Sequence, residues 1–492
     1  MKVLACLLLL AIPLCLAQQQ APAPPVVPQP VEEVPAEPAA QEPAQQPVQR
    51  IEPEVIQPIQ PADVPAEATE AGTDYRGPTI LSRGGQPSTQ RASELFTIQP
   101  FVTLDAVYDT GLATVGVDNQ GRLDFESAYG AEATFGVTGA RSWRHSGLAI
   151  DYRGAARHYS KKTFYDGSDH TLMLRYDNQV ARRWLVSLTQ GATSFSRGTG
   201  LPFGVVQGYD PTFGMLTGHE LFDSRTNAIL SSGQAVYQKS ARLSFAMGAS
   251  GFVVRRRSDA LVGALGWSAI GDVAYRLGRY STIGIEYDFS RFEYQGQYGM
   301  SDAHGLAVNY SRRLNRWWEL SLRAGGLRVE TSRVQIVQLD PAIAAIIGQT
   351  QGISAFHDYV YLPQYTARLT RVFQRSSLSV GYARTVTPGN GVYLTSGTEM
   401  FDALYTNRLS RLVAFSFGAG ASRLKALSQD LANYRSYSGR AGVSFRLRSS
   451  LSALARVEFR SQSVNSTQLD RDSFRAAVGI GWTPGEYPVS VW

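Results

Sequence analysis

From about Glu94 to Trp482 the chain repeats one pattern, in which apolar residues alternate with small or polar ones over segments of roughly ten residues. The first segment sets an apolar series against a more polar one: Val102, Leu104, Ala106 and Tyr108 against Thr103, Asp105, Val107 and Asp109. Successive residues of a strand point to opposite faces of the sheet. No segment is an apolar run long enough for a transmembrane helix. The pattern therefore predicts an all-β, closed barrel with lipid outside and water inside.

Residues 1–17 have the features of a secretory signal peptide: Lys2, a short apolar stretch and the small residue Ala17. Both cysteines of the chain, Cys6 and Cys15, lie in this segment, so cleavage after Ala17 leaves no thiol for a disulfide or a metal. Lipidation of Cys15 is the alternative, but Leu14 is large where lipoprotein signals prefer a small residue. We expect export without a lipid anchor.

Residues 18–94 form a second region, whose first part, 18–75, is rich in Pro, Ala, Gln and Glu. That part carries ten carboxylates against a single base, Arg50, and has no aromatic residue before Tyr75. Such a composition cannot bury a core, and its prolines favour extended polyproline stretches. We expect a disordered periplasmic linker, which serves either as a passive tail or as a tether to a periplasmic partner.

Short polar connections alternate with longer ones over residues 95–492. Eight short ones occur at Gly139–Ser146, Asn178–Arg183, Gln238–Arg242, Leu277–Arg279, Arg312–Arg316, Phe373–Ser376, Arg408–Arg411 and Leu447–Ser450. Nine longer ones occur at 110–125, 158–170, 197–225, 255–262, 290–300, 330–357, 387–396, 426–433 and 463–472. Short periplasmic turns and long extracellular loops are typical of transmembrane antiparallel up-and-down barrels. Eight turns and nine loops predict about 18 strands, within a range of roughly 16–18, with both ends in the periplasm.

The strand region resembles bacterial outer-membrane β-barrel porin-like proteins in its signal peptide, strand ladder, turn and loop asymmetry and terminal aromatic residue, Trp492. The resemblance implies a bacterial outer-membrane location, contact with lipid and lipopolysaccharide, and assembly by the barrel-assembly machinery, which recognises an aromatic C-terminal strand. In this chain Pro484, Gly485 and Pro488 interrupt the alternation. We therefore expect the last strand to end near Trp482 and a tail to follow it.

The same resemblance implies that the loop after the fifth strand folds into the lumen as a constriction. In this chain that loop is 197–225, where Asp210, Glu220 and Asp223 would line an eyelet. The 330–357 loop is a second candidate for the lumen, since its "LDPAIAAIIGQ" stretch predicts a short helix. Packing of both loops on the outer rim is the alternative.

Charged residues fall in the series that alternates with the apolar one, so we expect them to line the pore. The predicted pore-lining residues are Asp105, Glu132, Asp151, Arg153, Arg175, Glu286, Asp288, Arg323, Arg368, Arg440, Arg456, Glu458 and Arg475. Barrel closure brings the Arg-rich last strands beside the acidic first strands. Facing rows of opposite charge would create a transverse field and set ion selectivity. The alternative is that these charges simply pair across strands.

The formal net charge is +6 and nearly all the bases are arginines. A basic excess often indicates nucleic-acid binding, but the exported compartment argues against it. Lipopolysaccharide phosphates or small anionic solutes are the more fitting partners, and Arg255, Arg256 and Arg257 at an outer strand end are candidates to bind the phosphates. A solvated run of loop charges is the alternative.

Catalytic and metal-binding motifs are absent from the sequence: it has no H-E-x-x-H, no G-x-S-x-G and no phosphate-binding glycine loop. His357 and Asp358 are an adjacent acid and histidine pair, but neighbouring strand residues point to opposite faces. We therefore expect no enzyme activity, no cofactor and no metal site.

The sequence as a whole favours an outer-membrane porin for passive diffusion of small hydrophilic solutes through a water-filled, Arg-rich lumen. The alternatives are a conduit that exports or imports a polysaccharide or another specific solute, and a plugged structural or adhesion barrel. Small outward residues, namely Ala131, Ala133, Gly154 and Ala156, suggest a possible homotrimer.

Overall fold

The computed structural model describes residues 96–117, 123–160, 166–195, 225–258, 260–295, 299–338, 351–427, 433–464, 470–485 and 487–489. These ranges contain nineteen strands. They are β1 (Phe96–Val117), β2 (Leu123–Ser142), β3 (Ser146–Tyr159), β4 (Gly167–Ala181), β5 (Trp184–Phe195), β6 (Thr226–Gln238), β7 (Leu243–Arg256), β8 (Ala264–Arg276), β9 (Ser281–Tyr294), β10 (Met300–Arg313), β11 (Trp318–Gln338), β12 (Gln351–Val372), β13 (Ser376–Thr387), β14 (Ser396–Arg408), β15 (Val413–Ala426), β16 (Tyr434–Arg446), β17 (Leu451–Val464), β18 (Arg471–Trp482) and β19 (Tyr487–Val489).

Strands β1 to β18 form a closed antiparallel barrel, in which each strand pairs with its neighbours in sequence. Closure comes from β1 and β18, whose register runs from Val102 opposite Trp482 to Asp109 opposite Arg475. The predicted up-and-down barrel of 18 strands is confirmed, and so is the end of its last barrel strand at Trp482. The short β19 follows in the tail and pairs with the first residues of β1.

The two classes of connection lie at opposite ends of the barrel. All eight predicted turns join strands at one end of the barrel. In the turn between β12 and β13, for example, the amide of Phe373 donates to the carbonyl of Ser376 at 2.8 Å. The predicted long loop 330–357 is wrong at both ends, because β11 continues to Gln338 and β12 begins at Gln351. The charged and polar residues of this segment lie in a hairpin that extends beyond the bilayer. Paired strands in water can carry polar side chains on both faces, so a polar sequence there does not mark a loop. The predicted helix in this loop lies outside the described residues.

One side-chain series of the barrel wall faces outward around the whole circumference. Its apolar members are well exposed, with Leu104 at 63%, Ile285 at 59% and Leu306 at 61%. Aromatic residues border this surface near both ends of the strands. On β8, Trp267 and Tyr275 are both exposed and eight residues apart. That separation is about 26 Å along a strand and roughly 20 Å across a bilayer after strand tilt.

An apolar outer face between two aromatic belts is the arrangement of an outer-membrane barrel, whose closed sheet leaves no backbone edge in lipid. Within the described ranges, no helix is both long enough and apolar enough to cross a membrane. The polar series on the opposite face of each strand defines the interior, and the candidate site is there.

Candidate functional site: the lumen and an inward-folded loop

The predicted pore-lining residues share one geometric property. All thirteen lie on the inward-facing positions of their strands, because cross-strand partners share a face and the register is continuous from β1 to β18. Around the closure, the inward positions are tightly covered: Asp105 is 5% exposed, Glu132 3% and Arg475 4%. Whether each of these residues contacts a permeating solute stays a prediction.

A segment that the sequence assigned to the extracellular loops folds into the barrel. Residues 388–395, which connect β13 to β14, are called here the inward loop. Asn390 and Tyr393 are each 2% exposed, Leu394 is 5% exposed and Thr395 is fully buried. The position of this loop was predicted correctly, but its inward course was not. Its one sequence signal is the apolar run Val392–Leu394 in an otherwise turn-like stretch.

The inward loop holds its shape through local backbone geometry. Gly389 and Gly391 have φ angles of 71° and 91°, in the left-handed region that glycine adopts without strain. The side-chain oxygen of Asn390 accepts hydrogen bonds from the amides of Val392 at 3.3 Å and Tyr393 at 3.0 Å. The amide of Asn390 in turn donates to the carbonyl of Tyr393 at 3.0 Å. The loop is therefore a closed turn with few free backbone groups.

One flank of the inward loop is fixed to the wall made by β7 to β10. The Thr395 hydroxyl lies 2.8 Å from the hydroxyl of Tyr294 and also bonds the hydroxyl of Ser301. The amide of Val262 donates to the carbonyl of Gly391 at 3.0 Å. Leu394 belongs to a buried apolar cluster that extends from β6 to β11 and includes one residue of β13; its other members are Ala228, Leu230, Phe252, Val254, Ala264, Phe292, Tyr294, Ala303, Leu327, Val329 and Val386.

The other flank reaches the wall made by β15 to β17. The ring of Tyr393 lies 6.1 Å from that of Tyr434, and both pack with Leu424, Ala426 and Val464. The carbonyl of Thr395 accepts the amide of Leu427 at 2.9 Å. Burial raises the pKa of the Tyr393 hydroxyl above its usual range. Since β7 and β16 are far apart around the barrel, the loop crosses the lumen and narrows it.

A cavity of about 500 Å³ lies among the inward side chains of β5 to β14, and it reaches Thr385 and Val386 at the base of the inward loop. Its lining mixes hydroxyl, amide and charged side chains with apolar ones, and the polar groups can hydrogen-bond water and hydrophilic solutes. Its charged lining residues are four carboxylates and two arginines, namely Asp272, Glu286, Asp288, Asp402, Arg323 and Arg368. The lining of this cavity is therefore of mixed sign.

On the β8 to β11 side of the cavity, the charges form one hydrogen-bonded group. One guanidinium nitrogen of Arg323 lies 2.6 Å from Glu286 and 2.5 Å from Asp288. The amide of Asn309 donates to Glu286 at 2.7 Å and to Asp272 at 3.2 Å. These bonds hold the side chains against the wall and leave the centre of the cavity open.

A second charged group lies where the barrel closes. Arg456 bonds Asp105 at 3.0 Å and Glu132 at 2.6 Å, and Arg475 bonds the other oxygen of Glu132 at 2.5 Å. Arg475 also lies 3.8 Å from Asp109. Closure thus brings the acidic first strands beside the arginines of the last strands, as expected, and here the charges pair directly across strands.

The remaining predicted positions divide into three cases. Asp151 pairs with Arg153 on the same strand at 2.9 Å, and Arg175 pairs with Asp177 at 2.8 Å. Arg440 and Glu458 are direct cross-strand partners of β16 and β17. The proposed eyelet residues Asp210, Glu220 and Asp223 lie outside the described residues.

The arginine run at the end of β7 is split between the two faces. Arg255 is exposed on the outer surface, whereas Arg256 turns inward and donates to the carbonyl of Val262 at 2.6 Å. Arg256 also lies under Gly391 of the inward loop. Only Arg255 and Arg257 remain at the outer surface for a phosphate. Among the described residues, no group of three or more acidic, histidine or cysteine side chains is placed to hold a metal.

Comparison with solved structures finds proteins of Pseudomonas. A BenF-like porin from Pseudomonas fluorescens Pf-5 has a TM-score of 0.39 and 8% identity, and the match covers 78% of this chain and 98% of that one. OccK2 (OpdF) of Pseudomonas aeruginosa has a TM-score of 0.39 and 11% identity, over 79% and 98%. OpdQ of the same species has a TM-score of 0.36 and 9% identity, over 81% and 98%.

No protein-family model matches the chain, and no curated protein sequence matches it. With structural likeness at this level, the function has to be inferred from the barrel's own residues.

Proposed function

We propose that this barrel is a porin, through which small hydrophilic solutes diffuse passively across an outer membrane. The observation that carries the proposal is the cavity beneath the inward loop: a closed barrel encloses a cavity of about 500 Å³ that is lined in part by charged and hydroxyl side chains, and the charges around Arg323 are bonded along the wall. Barrels of this strand number are wide enough to hold water unless side chains or loops fill them. The inward loop narrows this one, so it sets the size of the solutes that pass.

Mixed charge determines which solutes fit the channel best. The arginine-rich part of the lumen is the wall of β16 to β18, where Arg456 and Arg475 are neutralised by buried carboxylates. The cavity itself offers both carboxylates and arginines. Rings of charge set ion selectivity, and we expect balanced signs to give mild selectivity with preference for polar or zwitterionic solutes over polyanions.

The proposal extends to the partners of the barrel. Lipopolysaccharide would contact Arg255 and Arg257 beyond the outer aromatic belt, and the barrel-assembly machinery would insert the chain after removal of residues 1–17. Residues 18–94 would remain in the periplasm as a linker. The small outward residues Ala133 and Ala156 are direct cross-strand neighbours. Small side chains at this point of the outer surface would allow another barrel to pack closely against it in a homotrimer.

Liposome swelling tests the transport function. Purified protein in vesicles should admit small sugars and amino acids at rates that fall steeply with solute size and rise linearly with concentration. Protein-free vesicles are the control. Absence of swelling with every small solute would contradict the porin proposal and favour a plugged barrel, whereas saturation with a single solute would favour a specific conduit.

A further inference from the structure

Three inward-facing glycines of the lumen wall are direct cross-strand partners of charged residues. Gly305 lies opposite Asp288, Gly381 opposite Asp402 and Gly418 opposite Arg440. In each case the charged side chain lies across the glycine. A β-carbon at Gly305 would be 2.6 Å from the carboxyl carbon of Asp288, and one at Gly381 would be 2.5 Å from a carboxyl oxygen of Asp402. One at Gly418 would be 2.7 Å from Nε of Arg440.

Passage over a glycine takes each charge toward an opposite charge two strands away. Asp288 of β9 crosses β10 and reaches Arg323 of β11 at 2.5 Å. Asp402 of β14 crosses β13 at Gly381, whose other cross-strand partner is Arg368 of β12. The charges of Arg368 and Arg440 both act on Asp402. Gly305 thus lets the Asp288–Arg323 ion pair lie flat against the wall, and Gly381 and Gly418 let the side chains of Asp402 and Arg440 lie across the neighbouring strand.

Alanine at these three positions would meet the charged side chain first. The three atoms nearest the added β-carbon all belong to the side chain of Asp288, Asp402 or Arg440 respectively. The wall can therefore keep its register, while the charged side chain has to rotate off the wall. The one direction free of strands is toward the lumen.

We propose that Gly305, Gly381 and Gly418 are positioning residues that set the charge seen by a permeating solute, because they keep Asp288, Asp402 and Arg440 out of the path. This inference rests on the proposed porin function and names which residues control its selectivity. A carboxylate that leaves the wall approaches the permeating ions and attracts cations. Arginine that leaves the wall repels them.

Reversal potentials in a salt gradient test the proposal, since the sign of the effect differs among the variants. We expect Gly305→Ala and Gly381→Ala to shift the channel toward cations and Gly418→Ala to shift it toward anions. A unit charge about 4 Å from an ion in water changes the local ion concentration roughly fivefold, which sets the upper scale of the change in permeability ratio. All three should lower the single-channel conductance.

Controls separate this effect from misfolding. Gly271→Ala and Gly439→Ala add a β-carbon that meets nothing within 4 Å, so they should leave both conductance and selectivity unchanged. The variant Asp288→Ala lacks the side chain that lies over Gly305. The double variant Asp288→Ala with Gly305→Ala should therefore have the same selectivity as Asp288→Ala alone. Heat-modifiable migration on gels checks that each variant is a folded barrel.

The outcomes separate this inference from the porin proposal. If the wild-type protein conducts but the glycine variants keep its reversal potential, this inference alone is overturned. Shifts of the reversal potential with the same sign in all three variants would also overturn it. If Gly305→Ala fails to fold, Gly381→Ala and Gly418→Ala can still be compared, since their reversal potentials should shift in opposite directions. A wild-type barrel that carries no current would overturn the porin proposal together with this one.

Discussion

The charged group at the barrel closure gives a stability prediction that can be worked from the structure. Arg475 is 4% exposed and bonds Glu132 at 2.5 Å, with Asp109 3.8 Å away. Removal of this arginine leaves three carboxylates, those of Asp105, Asp109 and Glu132, with Arg456 as the cation bonded among them. Truncation of one partner in a buried ion pair destabilises proteins by about 3–5 kcal/mol, because the other charge stays buried. We expect Arg475→Met to lower the free energy of unfolding by that amount.

The assay is equilibrium unfolding in urea with the barrel in phospholipid vesicles, followed by tryptophan fluorescence. Arg175→Met is the matched control, since Arg175 pairs with Asp177 at 2.8 Å but its side chain is 29% exposed. A pair so open to the water of the lumen contributes about 0–1 kcal/mol. The double variant Glu132→Gln with Arg475→Met restores the charge balance and should lose less than the sum of the single changes. Equal losses for Arg475→Met and Arg175→Met would mean that burial of an ion pair does not determine its contribution to stability.

Three further predictions concern the inward loop. Thr395→Val removes the hydroxyl that bonds Tyr294 and Ser301, which should weaken the loop by about 1–3 kcal/mol and increase open-channel current noise. Gly389→Ala places a β-carbon against the Tyr393 carbonyl at a φ of 71° and should give several conductance levels instead of one. Because burial raises the pKa of Tyr393, its neutral hydroxyl supports the loop fully below the unfolded value of about 10. That support falls as pH rises through the folded pKa, so conductance should drift above about pH 10 in wild type, whereas Tyr393→Phe should remove the drift.

The sequence predicts the barrel well because its two determinants are local. Alternation with a period of two assigns each residue to a face, and one face of every strand has to meet lipid. Turns such as Leu447–Ser450 are marked by short polar stretches. Strand number, closure and the end of β18 at Trp482 follow from counting these signals.

The inward loop could not be found in the same way. Its sequence, PGNGVYLT, has the Pro, Gly and Asn content of an ordinary solvated turn. Its burial depends on Tyr294, Ser301 and Tyr434, which come from strands remote in sequence. The prediction of a constriction went to the longer loop 197–225, because the resemblance to porins places a constriction after the fifth strand, and residues 197–224 lie outside the described residues.

Prediction of the ion pairs requires the register between neighbouring strands as well as the face on which each residue lies. Asp288 was placed on the lumen side from alternation alone, but its contact with Arg323 depends on Gly305 standing between them. An inward glycine in a strand resembles any other small residue in a sequence. Only the alignment of β9, β10 and β11 reveals that it seats a neighbouring side chain.

We propose that residues 388–395 narrow an open channel, and single-channel conductance in a planar bilayer measures this narrowing. Thr387 and Ser396 are direct cross-strand partners, so a two-residue Asn-Gly turn can replace the loop without disturbing β13 or β14. We expect a steady conductance for the wild-type protein and a larger one for this variant. A wild-type barrel without current, or a variant whose conductance equals that of the wild type, would contradict it.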